Sequence, residues 1–140
     1  MAGITSVETK LFYKAKGDTD FTEIELLMEV PELGGDPEKI DVTTLSDKVK
    51  KYIPGVKDLG DLAFKFLYDN STVNSNYRVL KGLEENNTLA TFKVQYPDGT
   101  AHEFDAYVSV KMDAAAVNAA LTFTATFSLQ SDITVTNPSA

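Results

Sequence analysis

The side chains of this chain that could do chemistry are few, and their spacing does not assemble a reaction centre. The single histidine, His102, is followed by Glu103 and Asp105. In a strand, alternation sends His102 and Glu103 to opposite faces, and no serine or threonine is placed by motif as a nucleophile beside the ring. Glu84 and Glu85 fall at the C-terminal end of a candidate helix, where negative charge opposes the macrodipole, so they read as solvated carboxylates rather than an acid–base pair. Gly34-Gly35 lacks the buried parallel strand before it and the helix after it that a phosphate cradle requires. Asp36, Glu38 and Asp41 offer hard oxygen ligands, but not the calcium-loop spacing that ends in a glutamate. With no cysteine, thiolate metal sites, disulfides and cysteine nucleophiles are excluded. The sequence therefore predicts no enzyme, no catalytic residue, no metal site and no cofactor.

What remains is charge and shape. The chain has 140 residues, a length that suits one domain over 1–140, and 43% of them are hydrophobic, enough for one core. Twenty-one acids against 13 bases give a formal charge of −8, which argues against a nucleic-acid binder, whose affinity comes from cations that displace phosphate counterions. The charge is segregated. Residues 18–41 hold nine acids and one base, whereas residues 47–57 hold four lysines and one acid. Residues 1–7 show neither a basic nor an apolar targeting pattern. Residues 114–131 carry no charge, but Thr122, Thr124, Thr126 and Ser128 alternate with Leu121, Phe123, Ala125 and Phe127, the period of a strand and not of a membrane helix.

That period recurs along the chain. Strands are expected at 11–15, 23–30, 62–68, 92–96, 103–110, 120–129 and 133–136. One helix is expected over about 73–85, with Ser71 as its N-cap, an apolar stripe of Val73, Tyr77, Leu80 and Leu83, and a left-handed residue at Asn86-Asn87. Tyr96-Pro97-Asp98-Gly99-Thr100 carries turn chemistry. The fold class is mainly β: a β-sandwich or barrel with one packed helix and a long extended loop at about 31–60. The loop is too long for an idle connection. Ile40, Val42, Leu45, Val49, Tyr52, Ile53, Val56 and Leu59 also make it too apolar for a solvated linker. Within it, 40–44 is expected to be extended and 47–52 to form a helical turn.

The run from Pro31 to Asp58, above all Thr43–Asp58, resembles the long-loop segment of phage tail tube proteins, the major tail proteins of long-tailed phages, of the type associated with Gram-positive hosts. The following strand, the helix and the Tyr96–Gly99 hairpin stand in the same order. The resemblance implies a virion protein, present in the host cytoplasm before assembly, that forms hexameric rings stacked into a hollow tube. In each ring a four-stranded sheet from every subunit joins its neighbours, and the long loop reaches the adjacent ring. The implied partners are other copies of the chain and, by the same resemblance, tape measure, distal tail and tail terminator proteins. The tube is expected to be a negatively lined conduit for DNA ejection, through which DNA passes without specific binding, and no membrane is involved. On this reading Glu23, Glu25 and Glu29 are expected to face the channel, since Ile24, Leu26 and Met28 must face the core, and Glu103 and Asp105 join them by the same argument. The loop is expected to anchor on the next ring through Leu45, Val49, Tyr52 and Ile53, with Lys48, Lys50 and Lys51 setting register. The alternative is a small-ligand or carbohydrate-binding β-sandwich with exposed tyrosines as a stacking platform, a module for which the absence of tryptophan is unfavourable.

Overall fold

In the computed structural model, residues 7–15, 17–33, 37–57, 61–117 and 119–138 are described. They form ten strands and one helix: β1 (Lys10–Ala15), β2 (Thr22–Ile24), β3 (Leu27–Glu29), β4 (Pro37–Asp41), β5 (Tyr52–Lys57), β6 (Asp61–Leu67), α1 (Asn76–Glu85), β7 (Ala90–Gln95), β8 (Ala101–Met112), β9 (Thr122–Leu129) and β10 (Thr134–Thr136). One antiparallel sheet runs β2-β1-β7-β8-β9-β6-β3, with β10 also on β8, while β4 and β5 form a separate hairpin.

The long sheet folds over because β8 belongs to both of its halves. The first half of β8 pairs with β7 on one side and β10 on the other, whereas Ala106–Met112 pairs with β9. Two facing layers result, β2-β1-β7-β8 and β8-β9-β6-β3. Phe92 of β7 stacks on Phe127 of β9 with centroids 4.3 Å apart, although those strands share no ladder. Phe64, Phe66, Phe92, Phe104, Phe123 and Phe127 are all fully buried or nearly so, and with Leu11, Leu80 and Val94 they fill the space between the layers. Each aromatic pair adds about 0.5–1.5 kcal/mol beyond its burial. The expected mainly β sandwich with one packed helix is the observed fold.

The strand expected over 23–30 is two strands. Leu26 takes a left-handed φ of 65°, which turns the chain from β2, on one end of the sheet, into β3, on the other. Three Cα steps link Ile24 to Leu27, so the two sheet ends lie within about 11 Å. The turn also reverses the phase of burial. Ile24 is 3% exposed, but Leu26 and Met28 are 44% and 54% exposed, and Leu27 packs on the core instead.

Asn76, the first residue of α1, fastens this corner and is 3% exposed. Its amide donates to the carbonyls of Glu25 and Leu67, both at 2.9 Å, and its oxygen accepts from the Asp69 and Tyr77 N–H groups. The helix starts three residues later than the apolar spacing predicts. Thr72 and Ser75 form a local turn instead, in which the Ser75 hydroxyl accepts from the Thr72 N–H, and Val73 is left 71% exposed. At the other end Asn87 takes the expected left-handed conformation, φ 49°. Asn76→Ala leaves the Glu25 and Leu67 carbonyls without this donor and is expected to cost about 2 kcal/mol, read as a lower urea midpoint at unchanged slope. A loss below about 0.5 kcal/mol would show that the corner holds without it.

Candidate functional site

Three surfaces stand out once the core is filled. The first is the outer face of β3, β6, β9 and the second half of β8. Opposite residues align in rows: Asp61, Ser128 and Tyr107; then Ala63, Thr126 and Ser109; then Lys65, Thr124 and Lys111. Glu29 of β3 extends the last row from the far side of Lys65. Asp113, just past β8, accepts hydrogen bonds from the Thr122 and Thr124 hydroxyls at 2.7 Å each. These two bonds hold its carboxyl below the usual range, with smaller help from Lys65 and Lys111. The face is a carpet of short hydroxyls with three acids, Glu29, Asp61 and Asp113, against two lysines, Lys65 and Lys111.

The second surface is a sheet edge. From Tyr107 to Met112, β8 has no ladder partner on its β7 side among the described residues. Glu84 of α1 covers the middle of this edge: its Oε1 accepts from the Val110 N–H at 3.0 Å and the Ser109 hydroxyl at 3.2 Å. Its Oε2 lies 2.5 Å from the Lys81 Nζ. Lys81 first, and then the Val110 N–H, hold the Glu84 carboxyl below its ordinary value. The carboxylate read as solvated thus blunts an edge that would otherwise present a bare donor. Sequence spacing offered no signal for it, because Ser109 and Val110 lie 25 and 26 residues away.

The third surface is the segment expected to be a loop. Its core is a hairpin in which β4 pairs with β5, Ile40 opposite Ile53 and Asp41 opposite Tyr52. The tip is a hydrogen-bonded turn and not the expected helical turn at 47–52. Asp47 accepts from the Thr44 N–H at 2.8 Å and its own N–H donates to the Thr44 carbonyl, while Thr43 Oγ1 accepts from the Lys51 N–H at 2.8 Å. Polar side chains that cap their own backbone compete with helix, which is why this tip does not coil. Tyr52 and Ile53 are consecutive in a strand and so point to opposite faces. Ile53 shares its face with Ile40, whereas Tyr52 lies beside Lys39, whose Nζ sits 5.8 Å from the ring centre. Leu45 and Val49 at the tip are strongly exposed, and Ile40, Val42, Tyr52 and Ile53 are about half exposed. Of the three lysines, Lys51 pairs with Asp47 at 3.1 Å, and Lys48 and Lys50 are exposed.

The five acids expected to face the channel are dispersed. Glu23, Glu103 and Asp105 share the outer face of the other layer, where Glu23, Phe12, Lys93 and Glu103 form one row. Lys14 and Lys93 there lie over the Phe21 ring at 4.7 and 4.5 Å. Glu25 sits in the corner, and Glu29 is on the hydroxyl face. Only Glu29 of the five is on that face: the break at Leu26 separates it from Glu23 and Glu25, and Glu103 and Asp105 lie on the half of β8 that pairs with β7. His102 is at the rim of the core opposite Val94, its Nδ1 3.1 Å from the Tyr96 hydroxyl. Among the described residues no three metal-ligating side chains come together, and no helix is long and apolar enough to cross a membrane. Gly34, Gly35 and Asp36 lie outside the described residues.

Residues 1–138 match the family described as phage tail tube protein. No curated protein matches the sequence. Among solved structures, the fold is similar to a chain in the tail of an empty gene transfer agent particle refined with C6 symmetry, with a TM-score of 0.75 and 13% identity over 96% of this chain and 100% of that one. It is also similar to a chain of the six-fold symmetrised baseplate of the anti-feeding prophage, with a TM-score of 0.72 and 10% identity over 100% and 99% of the two chains. A type six secretion system protein aligns with a TM-score of 0.53 and 13% identity over 86% of this chain and 79% of that one.

The hydroxyl face carries its own pH test. A carboxyl whose pKa is lowered by folding contributes stability that is fully present above its unfolded pKa and is lost as pH falls through the lower folded value. Asp113→Asn is therefore expected to destabilise the protein at neutral pH, and the gap from wild type should close below about pH 4. Thermal unfolding between neutral and strongly acidic pH measures it, and a gap that persists unchanged at low pH would assign the effect to packing.

Proposed function

This chain belongs to the phage tail tube protein family and is a structural protein of the tail tube, and we propose that six copies close into a ring, that rings stack through the β4–β5 hairpin, and that the channel conducts DNA. The observation that carries the proposal is the hairpin. Ile40 and Ile53 on one face and Tyr52 on the other remain about half exposed, and Leu45 and Val49 more so. A patch of that kind on an otherwise well-packed domain calls for a partner surface. The hairpin is inserted in the chain between β3 and β6, adjacent strands of the hydroxyl layer, so it is connected to one end of that layer in its strand direction. Rings stacked along this direction bring each hairpin to the next ring. Laterally, β3 and the Tyr107–Met112 edge of β8, which Glu84 covers only at its middle, are the two ends of the same layer, and joining them around six copies removes the exposed edges.

The complement for the hairpin is the acidic corner of the neighbouring ring. Glu25, Leu26, Met28 and Glu32 are exposed there and offer apolar surface with negative charge beside it. Lys48 and Lys50 set approach and register, while the apolar side chains supply affinity. Tape measure, distal tail and terminator proteins are partners by family alone, and the subunit resides in the host cytoplasm before it enters the virion. A carbohydrate-binding role has no comparable support, since the exposed tyrosines Tyr52 and Tyr107 lie on different elements and build no common platform.

Ile53→Ala is expected to remove about 2 kcal/mol from the inter-ring contact, raising the protein concentration needed for tubes about thirtyfold, with the subunit's own melting temperature unchanged. Tyr52→Ala on the opposite hairpin face should also raise this concentration, and the double variant should raise it further. Sedimentation of assembled material against concentration measures both. Tubes that form at wild-type concentrations in the double variant would remove the hairpin from the ring contact. Lys48→Ala with Lys50→Ala should slow tube growth at low salt, and the difference should fade as ionic strength rises. Equal slowing at all salt concentrations would mean that the lysines bind rather than steer.

A further inference from the structure

We infer that the hydroxyl face of β6, β9 and the second half of β8 is the channel wall, and that this wall is close to neutral, with the bulk of the subunit's negative charge elsewhere. The inference rests on the ring-and-tube reading and specifies which surface of the subunit that tube turns inward. Three observations carry it. The hairpin is connected in the chain to one end of this layer, between β3 and β6, and to no strand of the other, so on the ring-and-tube reading these strands run toward the next ring. The layer ends in β3 and in six residues of β8, Tyr107–Met112, that have no ladder partner on one side among the described residues, so lateral joining of this layer gives an unbroken wall. The other layer ends in β2 and β10, each of three residues.

The composition of the face fits a surface along which a polyanion slides. Affinity for nucleic acid scales with the number of phosphates that cations neutralise, so a conduit must avoid uncompensated lysines. Here Lys65 and Lys111 flank Thr124 in one row, and the row begins at Glu29. Asp113, bonded to Thr122 and Thr124, adds a second negative charge beside the two lysines. With Asp61 the face carries three acids and two bases, whereas the whole chain carries −8. Weak repulsion spread over short, fixed hydroxyls leaves DNA neither bound nor excluded. The outer face of the other layer is unlike this: Phe12 and Phe21 lie under long lysine side chains there, a surface suited to contact with protein.

The lack of cysteine makes the assignment directly testable. Thr126→Cys places one thiol at the middle of the face, and Ser128→Cys is a second, nearly isosteric choice should the first perturb folding. Assembled tubes and free subunits of either variant are each treated with a small maleimide and with a maleimide carried on streptavidin, too bulky to pass down the channel. Reaction of the free subunit with both reagents, and loss of the bulky reaction alone on assembly, is expected. Intact tubes in which the introduced thiol still takes the bulky reagent would put this face outside and overturn the inference, leaving the tube reading intact. Wild-type protein that forms no tubes would overturn the tube reading itself.

Discussion

The twelve-residue strand β8 is the constraint on which the rest of the structure depends, because it is a member of two layers at once. Its first half closes one layer against β7 and β10, and its second half opens the other against β9. The layers are therefore tied through one backbone, and the phenylalanines between them pack in fixed register. The same geometry leaves half of β8 without a partner on one side. The strand that makes the core possible is thus also the one with an edge left over, and the Glu84 carboxylate that covers Val110 answers that edge within the subunit.

How much of this was legible in the sequence depends on the range of the interaction concerned. The alternation of Phe123, Ala125 and Phe127 with threonine sets β9 and both of its faces. The Tyr96–Thr100 turn closes as its residues dictate, with Gly99 at φ 99° and Thr100 N–H bonded to the Asp98 carboxylate. Residues 22–29 were not legible, because alternation assumes a continuous strand and a single left-handed Leu26 reverses the phase. The residues that stabilise that turn, Asn76 and Leu67, are far away in sequence. The hairpin was recognisable as an unusual segment, but its pairing was not. Its strands are short and carry prolines, and its tip is set by Thr43, Thr44 and Asp47, whose local hydrogen bonds leave no periodic trace.

The proposed assembly surfaces divide by chemistry. The hairpin exposes large apolar side chains with lysines at its rim, the pattern of a contact that must hold. The outer face of the β9 layer exposes threonine and serine with balanced charge, the pattern of a surface that must not. A net charge of −8 therefore does not by itself describe the proposed channel wall. Position decides what the charge does: Glu23 and Glu103 face lysine-covered aromatics on the other layer, whereas Asp113 neutralises its own neighbourhood.

A helical reconstruction of tubes grown from the purified protein would decide between the two possible orientations of the subunit. The predicted result is six subunits per ring, each hairpin lying on the next ring, and Thr122, Thr124 and Thr126 on the innermost strand with side chains toward the axis. A tube whose channel is lined instead by Lys93, Glu103 and Asp105, or whose hairpins point into solvent, would contradict it.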